Sequence, residues 1–144
     1  MTSTDINQKP YTLAVKAVIL DSQNRCLLLR RSNACRSLVG QWEWPGGKPD
    51  PGESFTETLS REVREETGLE IELTGLAGAS TFEMPVARVV LICMIARATS
   101  GELRLSSEHD DSAWVPLAEL PGWNVVTPMK PVIQNLLTPA QPNV

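Results

Sequence analysis

The chain has 144 residues, 42% of them apolar and 21% charged, with a formal net charge of −4, proportions that suit one globular domain with a real core. The acidic balance gives no general attraction to a nucleic acid polymer. With no apolar run near 18 residues and no leader-like pattern in MTSTDINQKP, a cytoplasmic protein without a membrane partner is expected, as monomer or homodimer. Cys26, Cys35 and Cys93 are odd in number and lack metal-ligand spacing, so free thiols are expected.

Residues 1–10 read as a flexible lead-in, 11–138 as a single domain and 139–144 as a frayed tail. Thr12 to Leu20, TLAVKAVIL, is a β-branched apolar run with Lys16 as its main polar interruption. After the turn-rich DSQNR comes Cys26 to Arg30, and the pair predicts a hairpin. Asn33 to Gly40 reads as loop and Gln41 to Pro45 as a short strand leading into Gly46-Gly47. Beyond residue 69, Glu70 to Leu76 predicts a strand bent at Thr74-Gly75, and Gly78 to Pro85 a loop. Val86 to Ala98 is almost wholly apolar and predicts a buried central strand. Ser100-Gly101 is expected to turn the chain back into a strand over Glu102 to Leu105. Ser112 to Val115 reads as a further strand, Pro116 to Leu120 as a helical turn and Leu120 to Val126 as a loop. Thr127 is expected as the N-cap, and Pro128 as the first residue, of a helix through Leu137, with Pro131 tolerated in its first turn.

The most informative stretch is Gly47 to Leu69, GKPDPGESFTETLSREVREETGL. Ser54 followed three residues later by Glu57 predicts a capping box, and Gly68 a left-handed stop, for a helix over Phe55 to Thr67. At about 100° per residue, Phe55, Leu59 and Val63 form an apolar stripe that Glu62, Glu65 and Glu66 border, with Glu66 inside it. Carboxylates at i, i+3 and i+4 repel, and a charge at a core boundary needs compensation. A hard divalent cation, Mg2+ or Mn2+, would supply it. A solvated helix face with Arg61 paired to Glu65 is the plainer alternative, but it gives no reason for the position of Glu66 or for Glu53.

Gly47, Glu53, Arg61, Glu62, Val63, Glu65, Glu66, Gly68 and Leu69 fill every fixed position of the Nudix box, G-x5-E-x7-R-E-U-x-E-E-x-G-U, and the chain resembles that family. The resemblance implies an α/β fold, the Nudix α/β/α sandwich with a mixed β-sheet between helices. It also implies a hydrolase that uses Mg2+ or Mn2+ to cleave a pyrophosphate in a nucleoside diphosphate linked to another group, by attack of water on phosphorus. Glu62, Glu65 and Glu66 resemble the metal ligands, with the Gly47 carbonyl and Glu108 as further ones. Arg61 would orient a glutamate, Glu53 would support the loop or the outer metal shell, and the catalytic base would be Glu62 or Glu108, with Glu65 also in the catalytic set.

Arg30, Arg31, Arg36 and Lys48 flank the box as candidate phosphate contacts. Trp44 and Trp123 are the candidates for stacking a base, Trp42 and Trp114 being assigned to the core. The single histidine, His109, reads as a surface-loop residue. Three subfamily patterns compete for the substrate. Met129 stands where MutT-type enzymes carry a base-reading asparagine. Pro85 resembles the downstream proline of ADP-ribose pyrophosphatases, and Arg31-Ser32-x3-Arg36-x3-Gly40-x3-Trp44-Pro45-Gly46-Gly47 resembles the coenzyme A pyrophosphatase pattern. A small nucleotide, either a nucleoside triphosphate or a modified nucleotide, is the leading expectation; ADP-ribose or a conjugate such as coenzyme A is the second. A nucleotide-binding regulatory module is the non-enzymatic alternative.

Overall fold

The computed structural model describes residues 8–139; the expected lead-in at 1–7 and tail at 140–144 lie outside them. Lys9 and Pro10 are anchored, Lys9 Nζ lying 3.2 Å from Glu83 Oε2 and the Pro10 carbonyl accepting the Arg88 N–H at 2.9 Å. In chain order the elements are β1 (Tyr11–Ile19), β2 (Arg25–Arg31), β3 (Trp42–Glu43), β4 (Gly46–Gly47), α1 (Phe55–Thr67), β5 (Leu69–Glu83), β6 (Arg88–Gly101), β7 (His109–Pro116) and α2 (Lys130–Leu137). Short 3-10 turns at Leu117–Gly122 and Thr127–Met129 link β7 to α2.

One sheet has the order β4-β1-β6-β5 and the other β3-β2-β7. The larger sheet is mixed, because β1 and β6 run parallel while β4 and β5 pair antiparallel. Period-two alternation buries both faces of β1. Ala14 and Val18 join Val132 and Ile133 of α2 in one core, and Val15, Ala17 and Ile19 join Leu59 and Val63 of α1 in the other. Lys16 lies on the α2-facing side between Ala14 and Val18, so a charge enters a buried row. This is the expected α/β sandwich.

Several local expectations are corrected. β1 and β2 share only the Leu20–Cys26 bridge before diverging into different sheets; both edges of β1 are taken by β4 and β6, which leaves β2 to pair with β3 and β7. The predicted bend and loop over 74–85 belong mostly to one long strand, β5, whose register shifts between Leu73 and Gly75 and between Leu76 and Gly78. These bulges absorb the turn-forming residues, and Asn135 of α2 donates to the Ala77 carbonyl at 2.7 Å.

Glu102 to Leu105 is not a strand. It hangs on the C-terminal end of α1, where Arg104 N–H donates to Thr67 O at 2.8 Å and Ser106 N–H to Glu66 O at 3.3 Å; these carbonyls have no partner within the helix. Thr127 opens a 3-10 turn and does not cap α2, which begins at Lys130 without a side-chain cap. The helix α1 has the expected bounds, with Ser54 Oγ accepting Glu57 N–H at 3.2 Å and Gly68 left-handed at φ 75°. Glu57 meets the Ser54 hydroxyl and not its backbone, and Phe55 is exposed, so the apolar stripe of α1 is carried by Leu59 and Val63.

Candidate metal and substrate site

β4 brings the Gly46-Gly47 backbone against α1. Gly46 has φ 154°, and a Cβ there would run into the Val15 carbonyl; a Cβ on Gly47 would lie 2.5 Å from the Glu62 carboxyl carbon. Only glycines let this strand approach both β1 and the glutamates. Gly46 N–H donates to Glu66 Oε1 at 2.8 Å. Glu66 is 4% exposed, and burial pushes its carboxyl up to about 7 despite Lys16 and the Gly46 hydrogen bond. Burial also raises Glu62, with Arg61 opposing and Glu65 and Glu108 adding to the rise.

Arg61 organises the loop before α1. Its Nε and Nη2 grip Glu53 at 2.7 and 2.9 Å, and its Nη1 donates to Glu62 at 3.0 Å and Glu65 at 3.3 Å. The Arg61 hydrogen bonds, with those from the Asp50 backbone and the Thr58 hydroxyl, hold the Glu53 carboxyl at about 2. Glu53 thereby clamps the 48–53 loop to the helix.

A second layer of charge lies beneath this cluster and was not anticipated. Glu43 of β3 is 5% exposed and accepts from Lys16 at 3.3 Å and from Arg31 at 3.1 and 3.0 Å. Burial favours the neutral acid, but Lys16, the His109 hydrogen bond and Arg31 outweigh it and hold the carboxyl at about 2. Burial likewise works against the Lys16 cation, and Glu43 with Glu66 raises its pKa nonetheless. His109, expected on the surface, is 4% exposed; its Nε2 lies 2.9 Å from Glu43 Oε2 and its Nδ1 3.9 Å from Glu66 Oε2. The signal available in the sequence was a lone lysine in TLAVKAVIL and a lone glutamate between two tryptophans, since buried charges require partners.

Glu66, Glu108 and His109 each place a potential ligand atom within 4.8 Å of the other two. Glu108 is exposed, and its carbonyl accepts Ser32 N–H at 2.9 Å, fixing its loop to the end of β2. Glu62 and the exposed Glu65 stay on Arg61 beside this group. An oxygen-rich cluster around a buried carboxylate, with one buried ring nitrogen, His109 Nδ1, lacking a partner, fits a divalent cation.

Next to Gly47 opens a cleft of about 320 Å³, with Leu38, Phe82, Met84 and Met129 as apolar walls and Lys16, Arg31, Glu43 and Lys48 as polar ones. Arg31 and Lys48 therefore reach the cleft, while Arg30 pairs with Asp110 at 2.7 Å and Arg36 is exposed on its loop. The tryptophans are corrected. Trp44 is wholly buried, its Nε1 3.5 Å from Cys26 Sγ, leaving no face for a ligand. Trp123 packs edge-on against Trp42 at 4.9 Å and lines a separate groove with Val125 and Ile133.

The fold, a mixed sheet between helices, is shared with a MutT protein from Methanosarcina mazei Go1. Its crystal structure matches with TM-score 0.81 and 34% identity, covering 90% of this chain and 94% of that one. Residues 10–136 match the NUDIX domain, and the chain belongs to the NUDIX family. It is 36% identical over 118 residues to the human 8-oxo-dGDP phosphatase NUDT18, covering 79% of this chain and 35% of that protein. It is 31% identical over 105 residues to an ADP-ribose pyrophosphatase of Methanocaldococcus jannaschii, covering 72% and 61%. The chain thus spans less than two thirds of either relative's length. Among the described residues no helix is long and apolar enough to cross a membrane.

Proposed function

We propose that this protein is a divalent-metal-dependent hydrolase that cleaves the pyrophosphate bond of a nucleoside di- or triphosphate with a modified base. The observation that carries this is the adjacency of the apolar cleft to the acidic cluster across Gly47. A planar base suits apolar walls of this size, including the polarisable sulfur of the exposed Met84. The phosphates would then pass Arg31 and Lys48 on their way to the glutamates. Met129 offers no amide to read a base edge, so base choice would rest on shape and on the charged Lys16, Arg31 and Glu43. The likeness to NUDT18 supports a modified guanine nucleotide.

Glu62, Glu65, Glu66 and Glu108 would hold Mg2+ or Mn2+, which when bound neutralises phosphate oxygens and polarises phosphorus. Arg61 orients Glu62 and Glu65 through its hydrogen bonds, and Glu53 keeps Arg61 in place. Glu62, half-buried and raised in pKa, is suited to accept a proton from attacking water; Glu108 is the other carboxylate placed for that role. A second reading, ADP-ribose or another nucleotide conjugate, is favoured by the archaeal relative.

The test is a panel of nucleoside di- and triphosphates, oxidised guanine nucleotides, ADP-ribose, dinucleoside polyphosphates and coenzyme A, with Mg2+ or Mn2+ and product identification. Turnover of an oxidised nucleotide, lost in Glu65→Gln with the fold intact, is expected. Preferential ADP-ribose cleavage would establish the second reading. Nucleotide binding without any turnover would establish a regulatory module instead.

A further inference from the structure

His109 is buried, its side chain only 1% exposed, yet Nδ1 has no hydrogen-bond partner. Its surroundings dictate where the ring hydrogen sits. Glu43, paired with Lys16 and Arg31, is a carboxylate and only accepts, so Nε2 at 2.9 Å must carry the N–H. Nδ1 then presents a bare lone pair toward Glu66 Oε2, 3.9 Å away. That distance is too long for a hydrogen bond, and a hydrogen on Nδ1 would draw the carboxylate to about 2.7–2.9 Å. Two donors sharing one ion, each about 2.1 Å from it, stand about 3–3.5 Å apart. A small side-chain closure would bring Nδ1 and Oε2 into that range, and Glu108 lies within the same 4.8 Å group.

We propose that His109 Nδ1 is a direct ligand of the divalent ion, with Glu66 and Glu108, so that the centre has mixed nitrogen and oxygen donors. The inference rests on the metal-dependent reading given above and extends it to a residue outside the glutamate cluster of α1. Glu43 completes the arrangement, because a metal-bound histidine characteristically donates its other ring N–H to a carboxylate, which fixes tautomer and orientation. Imidazole favours first-row transition ions over Mg2+, so the site should prefer Mn2+ to Mg2+ by more than glutamates alone would give.

The decisive experiment is pulsed EPR on the full chain, free of any histidine tag, loaded with Mn2+ alone. The sequence contains one histidine, so the assignment is unambiguous: a directly bound nitrogen-14 coupling is expected, replaced by a nitrogen-15 pattern on histidine labelling. His109→Gln keeps an N–H positioned for Glu43 but has no atom at Nδ1. It should lose the coupling and bind Mn2+ at least about tenfold more weakly by calorimetry, with a smaller change for Mg2+. Bound Mn2+ without nitrogen coupling would overturn the ligand role while leaving the metal-dependent hydrolase intact. No Mn2+ binding at all would remove both. If the variant does not fold, the wild-type spectrum alone decides.

Discussion

Lys16 Nζ lies 3.3 Å from Glu43 Oε1, and the two side chains retain only 16% and 6% of their exposure. This pair lines the cleft with Arg31, is backed by His109 on Glu43, and underlies the first prediction. Glu43→Gln leaves two cations facing a neutral amide in a buried place, where removing one partner typically costs about 3–5 kcal/mol. Urea unfolding at pH 7 measures it; a loss under about 1 kcal/mol would show that Lys16 and Arg31 escape to water. In the wild type, Glu43 is depressed to about 2, so its contribution is complete above the ordinary carboxylate value of 4.5 and fades as pH falls from there toward 2.

Glu66 has the opposite sign. Its carboxyl is raised to about 7 from 4.5, so in metal-free protein the folded state holds a proton that the unfolded state releases. Stability from this group is complete below about 4.5 and declines as pH rises to about 7, by on the order of 2–3 kcal/mol. Denaturant titrations in EDTA at pH 5 and 7.5 should show the decline. Mg2+ or Mn2+ should offset it at the higher pH, and Glu66→Gln should abolish it.

Arg61 carries the geometry of the box through two hydrogen bonds to Glu53 and one each to Glu62 and Glu65. Arg61→Ala should lower kcat about 10–100-fold and weaken Mn2+ binding, since Glu62 and Glu65 lose the cation between them. Arg61→Lys should recover little, because a single ammonium cannot make the two-pronged contact with Glu53. Recovery of wild-type kcat by lysine would reduce Arg61 to a generic charge.

Gly47→Ala tests the approach of β4 to α1. Gly47 is not in the left-handed region, so alanine is permitted by the backbone, but its Cβ would sit 2.5 Å from the Glu62 carboxyl carbon. A flexible carboxylate can swing aside, so thermal unfolding should shift by no more than about 1 kcal/mol equivalent, while turnover falls at least tenfold on the order expected for a misplaced catalytic group. Unchanged turnover would show that Glu62 needs no fixed position.

The helix α1, its caps and its glutamates were legible in the sequence because capping, helix periodicity and the spacing of Arg61 to Glu66 are local relations, encoded within a few residues. The strongly apolar β6 was legible for a similar reason. The bulged course of β5 was not: Thr74, Gly75 and Gly78 carry turn chemistry, and only pairing along the whole of β6 converts their local preference into irregularities within a strand. The separation of β1 from β2 likewise depends on which edges other strands occupy. Lys16, Glu43 and His109 meet across 27 and 66 residues of chain, and each looks unremarkable beside its sequence neighbours. Their burial together, and with it the polar wall of the cleft, was decided only by tertiary packing, since compensation of buried charge is a property of what folds against a residue.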